Sequence, residues 1–335
     1  MSTRNTQHYD AVIAGARCAG AATALLLARQ GARVLLLDKS RYGTDTLSTH
    51  ALMRGAVLQL HNWGLLPRVI AAGTPPVQSA IFYLPGAVST VEIKPKNGVE
   101  ALYAPRRTVP DAILADAARD AGADVRFGAS VTGLRRVRDG TTEGYHWYFR
   151  DGAAAGVIPT NDGLACVFAA TSAAGLRREP GGAGAAWRRI LGRAAPELAE
   201  RLDQRVAAGP PRVFPGLTGY LREAAGPGWA LVGDAGYFKD PITAHGITDS
   251  LRDAEILARA VTTGGPGAFG RYQAERDELS LRLFRVTGRI ASFDWTADQI
   301  GGHLLELSEA MAEEVAAMAG DHLGNPSPQP DLAPA

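Results

Sequence analysis

The sequence predicts an α/β fold: a parallel sheet flanked by helices, a smaller antiparallel β region, and a set of C-terminal helices. Three observations predict it. Residues 9–37 read as strand, helix, strand, and so short a unit implies a parallel pair. Residues 77–103 and 138–171 carry short apolar runs separated by proline, glycine and Asp-Gly turn signals, the pattern of antiparallel strands. Residues 247–319 are dominated by helical patterns.

Residues 9–14 (YDAVIA) suit a short buried strand, and residues 20–30 (GAATALLLARQ) are rich in helix formers. Gly31 fits the position just past a helix end. Residues 32–37 (ARVLLL) return to strand, closed by Asp38. A helix is predicted over 46–66, ending near Gly64 and Pro67. Pro110 opens a helix and Gly122 ends it, with a strand over 123–137. Asp-Gly pairs at 139–140, 151–152 and 162–163 then separate runs such as YHWYF and ACVFAAT. A helix over 185–206 is followed by a Pro/Gly-rich loop and a strand over 229–233 (WALVG) that runs into Asp234. The helix over 247–261 places apolar residues at 247, 251, 254, 257 and 261. Two more helices fill 268–319, and residues 323–335 are expected to be a disordered tail.

The chain has 335 residues, enough for about two domains. With 35 basic and 34 acidic residues, its net charge of +1 makes no electrostatic case for nucleic acid or an anionic membrane. Two cysteines, Cys18 and Cys166, cannot build a disulfide framework or a zinc site, and a reducing cytoplasm is the expected compartment. Arg17 breaks the apolar stretch over 11–28, which argues against a signal peptide; no run approaches the roughly 20 apolar residues of a membrane span.

The stretch Gly15, Ala16, Arg17, Cys18, Ala19, Gly20 follows the first strand and opens the first helix. It is the Gly-x-Gly-x-x-Gly dinucleotide fingerprint with arginine at the middle glycine. The first glycine permits the tight turn, the last permits close helix–strand packing, and the helix N-terminus offers amide N–H groups to a pyrophosphate. Arg17 gives up close backbone approach but places a guanidinium where phosphates would lie. Asp38, followed by Lys39, ends the second strand, where an acid hydrogen-bonds a ribose. Alone, this stretch also fits a strand–turn–helix in any α/β protein.

"WALVGDAGYFKDPITAHGI" (229–247), read with residues 15–40, 45–66 and 105–134, resembles the FAD-dependent oxidoreductases. That family includes aromatic-hydroxylase-type flavin monooxygenases and geranylgeranyl-reductase-like flavoproteins. The resemblance covers residues 8–138 and 145–262. It implies a Rossmann-like FAD-binding domain made of 1–76, 101–137 and 226–265, and a smaller antiparallel β substrate domain made of 77–100 and 138–225. The C-terminal helices, 266–322, would follow, with the tail last. It further implies that Gly233 and Asp234 approach the ribityl chain and that Pro241 to Gly246 runs beside the isoalloxazine ring. The helix start at Gly246 and Ile247 would face the flavin N1/O2 edge, where its dipole stabilises negative charge, and Arg107 would contact FAD. The alternative for Arg107 is a solvated ion pair with Asp111, and Lys239 is read as pairing with Asp240.

Family members carry one further piece, an apolar strand ending Ala-Asp-Gly and a helix after it. This chain lacks it and is shorter than the ordinary layout by about 50 residues, judged by element lengths. There is one nucleotide fingerprint, so NAD(P)H is expected as a transient reductant, or electrons from a separate flavin reductase. The resemblance implies a monooxygenase that oxidises a small hydrophobic or aromatic metabolite through a flavin C4a-hydroperoxide. The alternatives are a flavin-dependent reductase of isolated double bonds and a flavin-less binding protein. Halogenation is not expected, because the Trp-x-Trp-x-Ile-Pro signature is absent. Catalytic candidates are His245, next to the helix start, and His50 in "DTLSTH". No metal site is expected. Trp147, Tyr148 and Phe149 could wall a substrate pocket, though strand alternation lets only one face do so, or fill ordinary core.

Overall fold

The computed structural model describes residues 8–127, 144–203, 212–214 and 216–322. The first elements are β1 (Ala11–Ala14), α1 (Cys18–Arg29), β2 (Val34–Asp38), α2 (Arg54–Asn62) and α3 (Leu66–Ala71). Four strands follow, β3 (Pro76–Val77), β4 (Ser79–Leu84), β5 (Ala87–Glu92) and β6 (Leu102–Tyr103), before α4 (Pro110–Asp120) and β7 (Asp124–Phe127). The middle of the chain forms β8 (Tyr145–Arg150), β9 (Ala153–Thr160), β10 (Leu164–Ala170), α5 (Ala173–Arg178), α6 (Ala183–Ala194) and α7 (Pro196–Asp203). Short strands β11 (Tyr220–Leu221), β12 (Ala225–Gly226), β13 (Trp229–Ala230) and β14 (Tyr237–Phe238) lead to α8 (Gly246–Thr263), α9 (Ala268–Ser292) and α10 (Ala297–His322).

The nucleotide-type sheet is parallel in the order β1-β2-β7, with Ile13 beside Leu36 and Leu36 beside Val125. Alanine-rich α1 lies between α4 and α8, and its Ala21, Ala22 and Ala24 are fully buried. Small side chains let these helices approach closely. Among the described residues no strand pairs with the second edge of β1, and Val12 is 63% exposed. A buried parallel strand normally has apolar cover on both faces; here the β1 face that carries Val12 is open.

The second sheet runs β10-β9-β8-β4-β5, antiparallel except for the parallel β4–β8 pair. Alternation along β8 sends Tyr145, Trp147 and Phe149 into the main core. Trp147 stacks on Phe82, and Phe149 meets Trp295 edge-on. These aromatics therefore act as core. On the opposite face, Ala153, Ala155, Val157 and Ala165 pack against Ile190, Leu191 and Leu198 of α6 and α7.

Several expectations need correction. The helix expected over 46–66 begins only at Arg54. His50 holds a left-handed φ of 67°, and Leu52 pairs with Tyr103; hydroxyls at Thr46, Ser48 and Thr49 compete locally with helical bonding. The 185–206 helix is two, α6 and α7, divided at Ala195 before Pro196. The 229–233 strand shrinks to Trp229–Ala230, paired with β12 outside the parallel sheet, and the chain turns into a 3-10 helix at Gly233. Val261, expected on the apolar face of α8, is 41% exposed. The expected strand beyond residue 127, the Asp139–Gly140 turn and the 323–335 tail lie outside the described residues. Among the described residues no helix is long and apolar enough to cross a membrane.

The contrast between β1 and β2 sets a test. Leu36, fully buried, should cost about 2–5 kcal/mol on change to Ala. Val12→Thr on the open face should stay within about 0.5 kcal/mol. Urea unfolding of both variants measures the difference.

Candidate active site

The site is assembled from loop ends and helix starts. Gly15 turns at φ 104°, and a side chain on Gly20 would collide with the Gly15 carbonyl oxygen. Both glycines are thus needed for the turn from β1 into α1. Arg17 precedes α1, whose N-terminus has neither a side-chain cap nor an acidic residue in its first turn. Its amide groups remain suited to an anion.

Asp38 reaches back to this turn. Its Oδ2 accepts from the Ala16 N–H at 2.5 Å, and its Oδ1 accepts from the Ser40 N–H and hydroxyl, both at 2.6 Å. Partial burial would raise this carboxyl, but the Ser40 and Ala16 donors and the nearby Arg17 outweigh that and lower it. One acceptor position remains at Oδ2, which suits a single ribose hydroxyl. Lys39 points to solvent beside it.

Arg17 donates to Asp111 at 2.9 Å, to the Thr44 carbonyl at 2.6 Å and to the Thr44 hydroxyl at 3.1 Å. Asp111 also accepts from Arg107 at 3.0 Å and from the Cys18 thiol at 3.1 Å. The Arg107–Asp111 pair is therefore real, but both side chains are shielded from water. Burial pushes the Cys18 thiol up, so it is inert at neutral pH. Burial alone would lower the Arg107 guanidinium; the surrounding Cys18, Asp111 and Asp234 raise it instead.

The second loop meets the first. A methyl built on Gly233 would lie 3.1 Å from Ala19 Cβ, so the Gly233–Asp234 turn rests directly on α1. Asp234 opens to solvent on its outer side, and no described residue donates a hydrogen bond to its carboxylate. Loss of solvation on its inner side, followed by the nearby Asp249, raises that carboxyl. Asp234 Oδ1 lies 3.7 Å from where a Gly246 side chain would start, so it faces the beginning of α8.

Pro241 opens a short 3-10 turn, capped by the Asp240 carboxylate on the Ile242 N–H at 2.9 Å. Ala244 then takes a left-handed φ of 52°, and His245 precedes α8 without a side-chain cap. Ile247 is buried. The two candidate histidines occupy different environments. His50 is half-buried beside the Asp45–Arg106 ion pair and Arg107; its Nδ1 is buried with no partner. Burial lowers the imidazole to about 4. His245 is fully buried, with Nε2 2.6 Å from Glu314 Oε2.

Sequence reasoning did not find what lies behind His245. Lys239 pairs with Asp249, not with the adjacent Asp240. Arg252, 1% exposed, donates to Asp249 at 3.1 Å, Asp253 at 2.7 Å, Glu314 at 2.6 Å and Ser280 at 2.8 Å. His245, Asp249 and Glu314 place ligand atoms within 4.8 Å of one another, as metal ligands would. However, the four carboxylate oxygens of Asp249 and Glu314 are already bound by Lys239, Arg252 and His245. The guanidinium supplies the positive charge that a metal would.

In fold and motif the chain is similar to flavoprotein oxidoreductases. The FAD binding domain family matches residues 8–154. The chain is 25% identical over 343 aligned positions, 80% of this chain and 82% of the other, to a digeranylgeranylglycerophospholipid reductase of Methanothrix thermoacetophila. In fold it is similar to the myxobacterial chondrochloren halogenase CndH, with a TM-score of 0.73, 17% identity, and 96% of this chain and 98% of that chain covered. It is also similar to Pseudomonas aeruginosa PqsL, with a TM-score of 0.70, 16% identity, and 89% and 100% covered. These similarities agree with the family its motifs resemble, the FAD-dependent oxidoreductases.

The buried network carries a pH dependence. Burial alone would raise Glu314, but His245 and Arg252 outweigh it and hold the carboxyl at about 2, below its usual 4.5. A depressed folded value contributes stability that is present above the unfolded value and lost as pH falls through the folded one. The Glu314→Gln variant should therefore be less stable than the parent at pH 7, and the gap should shrink between pH 4.5 and 2. Urea unfolding across that window measures it.

Proposed function

We propose that the protein is an FAD-dependent monooxygenase acting on a small hydrophobic or aromatic metabolite. The observation that carries the flavin part is the convergence of the Gly15–Gly20 turn, Arg107, the donor-free carboxylate of Asp234 and the uncapped start of α8. In this reading the α1 N-terminus and Arg17 hold the pyrophosphate and Asp38 takes a ribose hydroxyl. Asp234 takes the ribityl hydroxyls, and Gly246 and Ile247 face the ring with a positive dipole end. Bound FAD supplies electron transfer and, once reduced by NAD(P)H or by a separate flavin reductase, the reaction with O₂. One oxygen atom goes to the substrate and the other leaves as water.

His50 is the group placed to handle a proton. A strained left-handed backbone at a non-glycine residue is found where the surroundings over-determine it, often at functional sites. The depressed imidazole is neutral at pH 7, so it serves as an acceptor or base, not as an acid. Its working form is lost only as pH falls through about 4.

The likeness to PqsL and CndH supports oxygen chemistry on this fold. A second reading, reduction of isolated double bonds, is favoured by the relative from Methanothrix thermoacetophila. Substrate-stimulated O₂ uptake coupled to NAD(P)H oxidation supports the first; substrate reduction under anaerobic conditions supports the second. A colourless purified protein that does not take up added FAD removes both and leaves a flavin-less binding protein.

Two variants separate binding from chemistry. Asp234→Ala should weaken FAD by about tenfold, the worth of a charge-assisted hydrogen bond, while the fold survives. His50→Gln should leave FAD affinity within about twofold yet lower turnover by about 10²-fold or more, the range for a lost general base. Flavin fluorescence titration and steady-state rates read the two effects.

A further inference from the structure

We propose that Glu314, on the C-terminal helix α10, is a positioning residue of the flavin site. It fixes the His245 ring through Nε2, so that Nδ1 is the ring position left to meet a ligand. The inference rests on the flavin reading for the identity of that ligand, but not for the fixing of the ring.

The geometry leaves little freedom. His245 Nε2 and Glu314 Oε2 are 2.6 Å apart, and both side chains are 1% exposed. The other Glu314 oxygen accepts from Arg252 Nη1 at 2.6 Å, so the carboxylate is held at both ends. Arg252 is itself fixed by Asp249, Asp253 and Ser280. A carboxylate that orients an imidazole in this way sets which ring nitrogen is free for other work. Here that nitrogen is Nδ1, which is buried and has no hydrogen-bond partner. Buried polar atoms are nearly always paired, and an unpaired one calls for an explanation.

The place of His245 in the chain supplies one. His245 sits between left-handed Ala244 and Gly246, the residue whose side-chain direction faces Asp234. Nδ1 is therefore suited to one hydrogen-bonding group of a polyol or a polar heteroaromatic ring. The alternative, a metal ion, is opposed by the cations that already occupy the carboxylates. On this view α10 does more than cover the core: it sets the orientation of a side chain in the site.

The test is ¹⁵N NMR of the histidine rings in the full chain, with His245 assigned by loss of its signals in His245→Gln. Before any FAD is added, Glu314→Gln should move the His245 Nε2 resonance. Glu313→Gln, which alters an exposed pair with Arg282, should not. On adding FAD to the parent chain, Nδ1 should move and Nε2 should stay. Glu314→Gln should bind FAD about fivefold more weakly, the worth of one hydrogen bond. Unchanged His245 nitrogens in Glu314→Gln overturn the fixing role. FAD binding, seen by fluorescence, with Nδ1 unmoved overturns the ligand role. Failure of the parent to bind FAD overturns the ligand role together with the flavin reading, while the Nε2 comparison still decides the fixing role. Should Glu314→Gln fail to fold, the FAD titration of the parent alone decides, and an unmoved Nδ1 overturns the proposal.

Discussion

The guanidinium of Arg252 is the constraint on which the 233–246 region of this structure depends. A charge with almost no solvent exposure must be matched by partners, because an unpaired one is costly in a low dielectric. Arg252 takes its partners from three helices: Asp249 and Asp253 on α8, Ser280 on α9 and Glu314 on α10. Asp253 also accepts from the Gly233 N–H at 3.3 Å, which carries the constraint into the turn that holds Asp234. Through Lys239 and His245 the same network grips both ends of the 239–246 loop. Such a network is weak evidence of added stability, since a well-packed apolar set can do as well. Its effect is geometric: no member can move without leaving another charge unpaired.

A second, smaller knot does the same work at the other end. Asp111 accepts from Arg17, Arg107 and Cys18, and so joins the first loop to the start of α4. The two knots face each other across the contact of Gly233 with Ala19, and Arg107 feels the charge of Asp234. The Gly15–Gly20 turn and the Gly233–Asp234 turn thus hold their places through paired charges and one close backbone approach.

What could be read from the sequence follows from the range of each interaction. The β1–α1–β2 unit, the Pro110 helix and the hairpins around Asp151–Gly152 and Asp162–Gly163 are specified by neighbours in the chain, and all formed where expected. The Gly233–Asp234 turn and the α8 start could be read for the same reason, as a fixed motif. The 46–53 stretch could not. Its apolar spacing suited a helix, yet the backbone is pinned from outside by Tyr103 and by the Asp45–Arg106 pair. The Arg252 network was equally hidden. In sequence, Asp249, Arg252 and Asp253 look like the wet face of an amphipathic helix, and Glu314 is one of several acids on α10. Only the packing of α9 and α10 around α8 shows that this face is dry. A faint signal existed in the two acids flanking one arginine, a set able to balance a buried cation, but the same pattern is ordinary on exposed helices.

Among the described residues β1 has a partner on one side only, which bears on how far the site depends on its sheet. If the β-sheet alone positioned the loops, a strand lacking a partner on one side would loosen the Gly15–Gly20 turn that follows it. The contacts argue otherwise. The turn is held from β2 by Asp38, from α4 by Asp111 and from beyond α1 by Gly233. None of these acts through the unpaired edge of β1 or through the face on which Val12 meets solvent. Helix packing and charge pairing therefore bear the load that a complete sheet would otherwise share. A short sheet is compatible with an ordered site because the groups that would touch the cofactor lie at loop ends and helix starts, which the helices themselves lock in place.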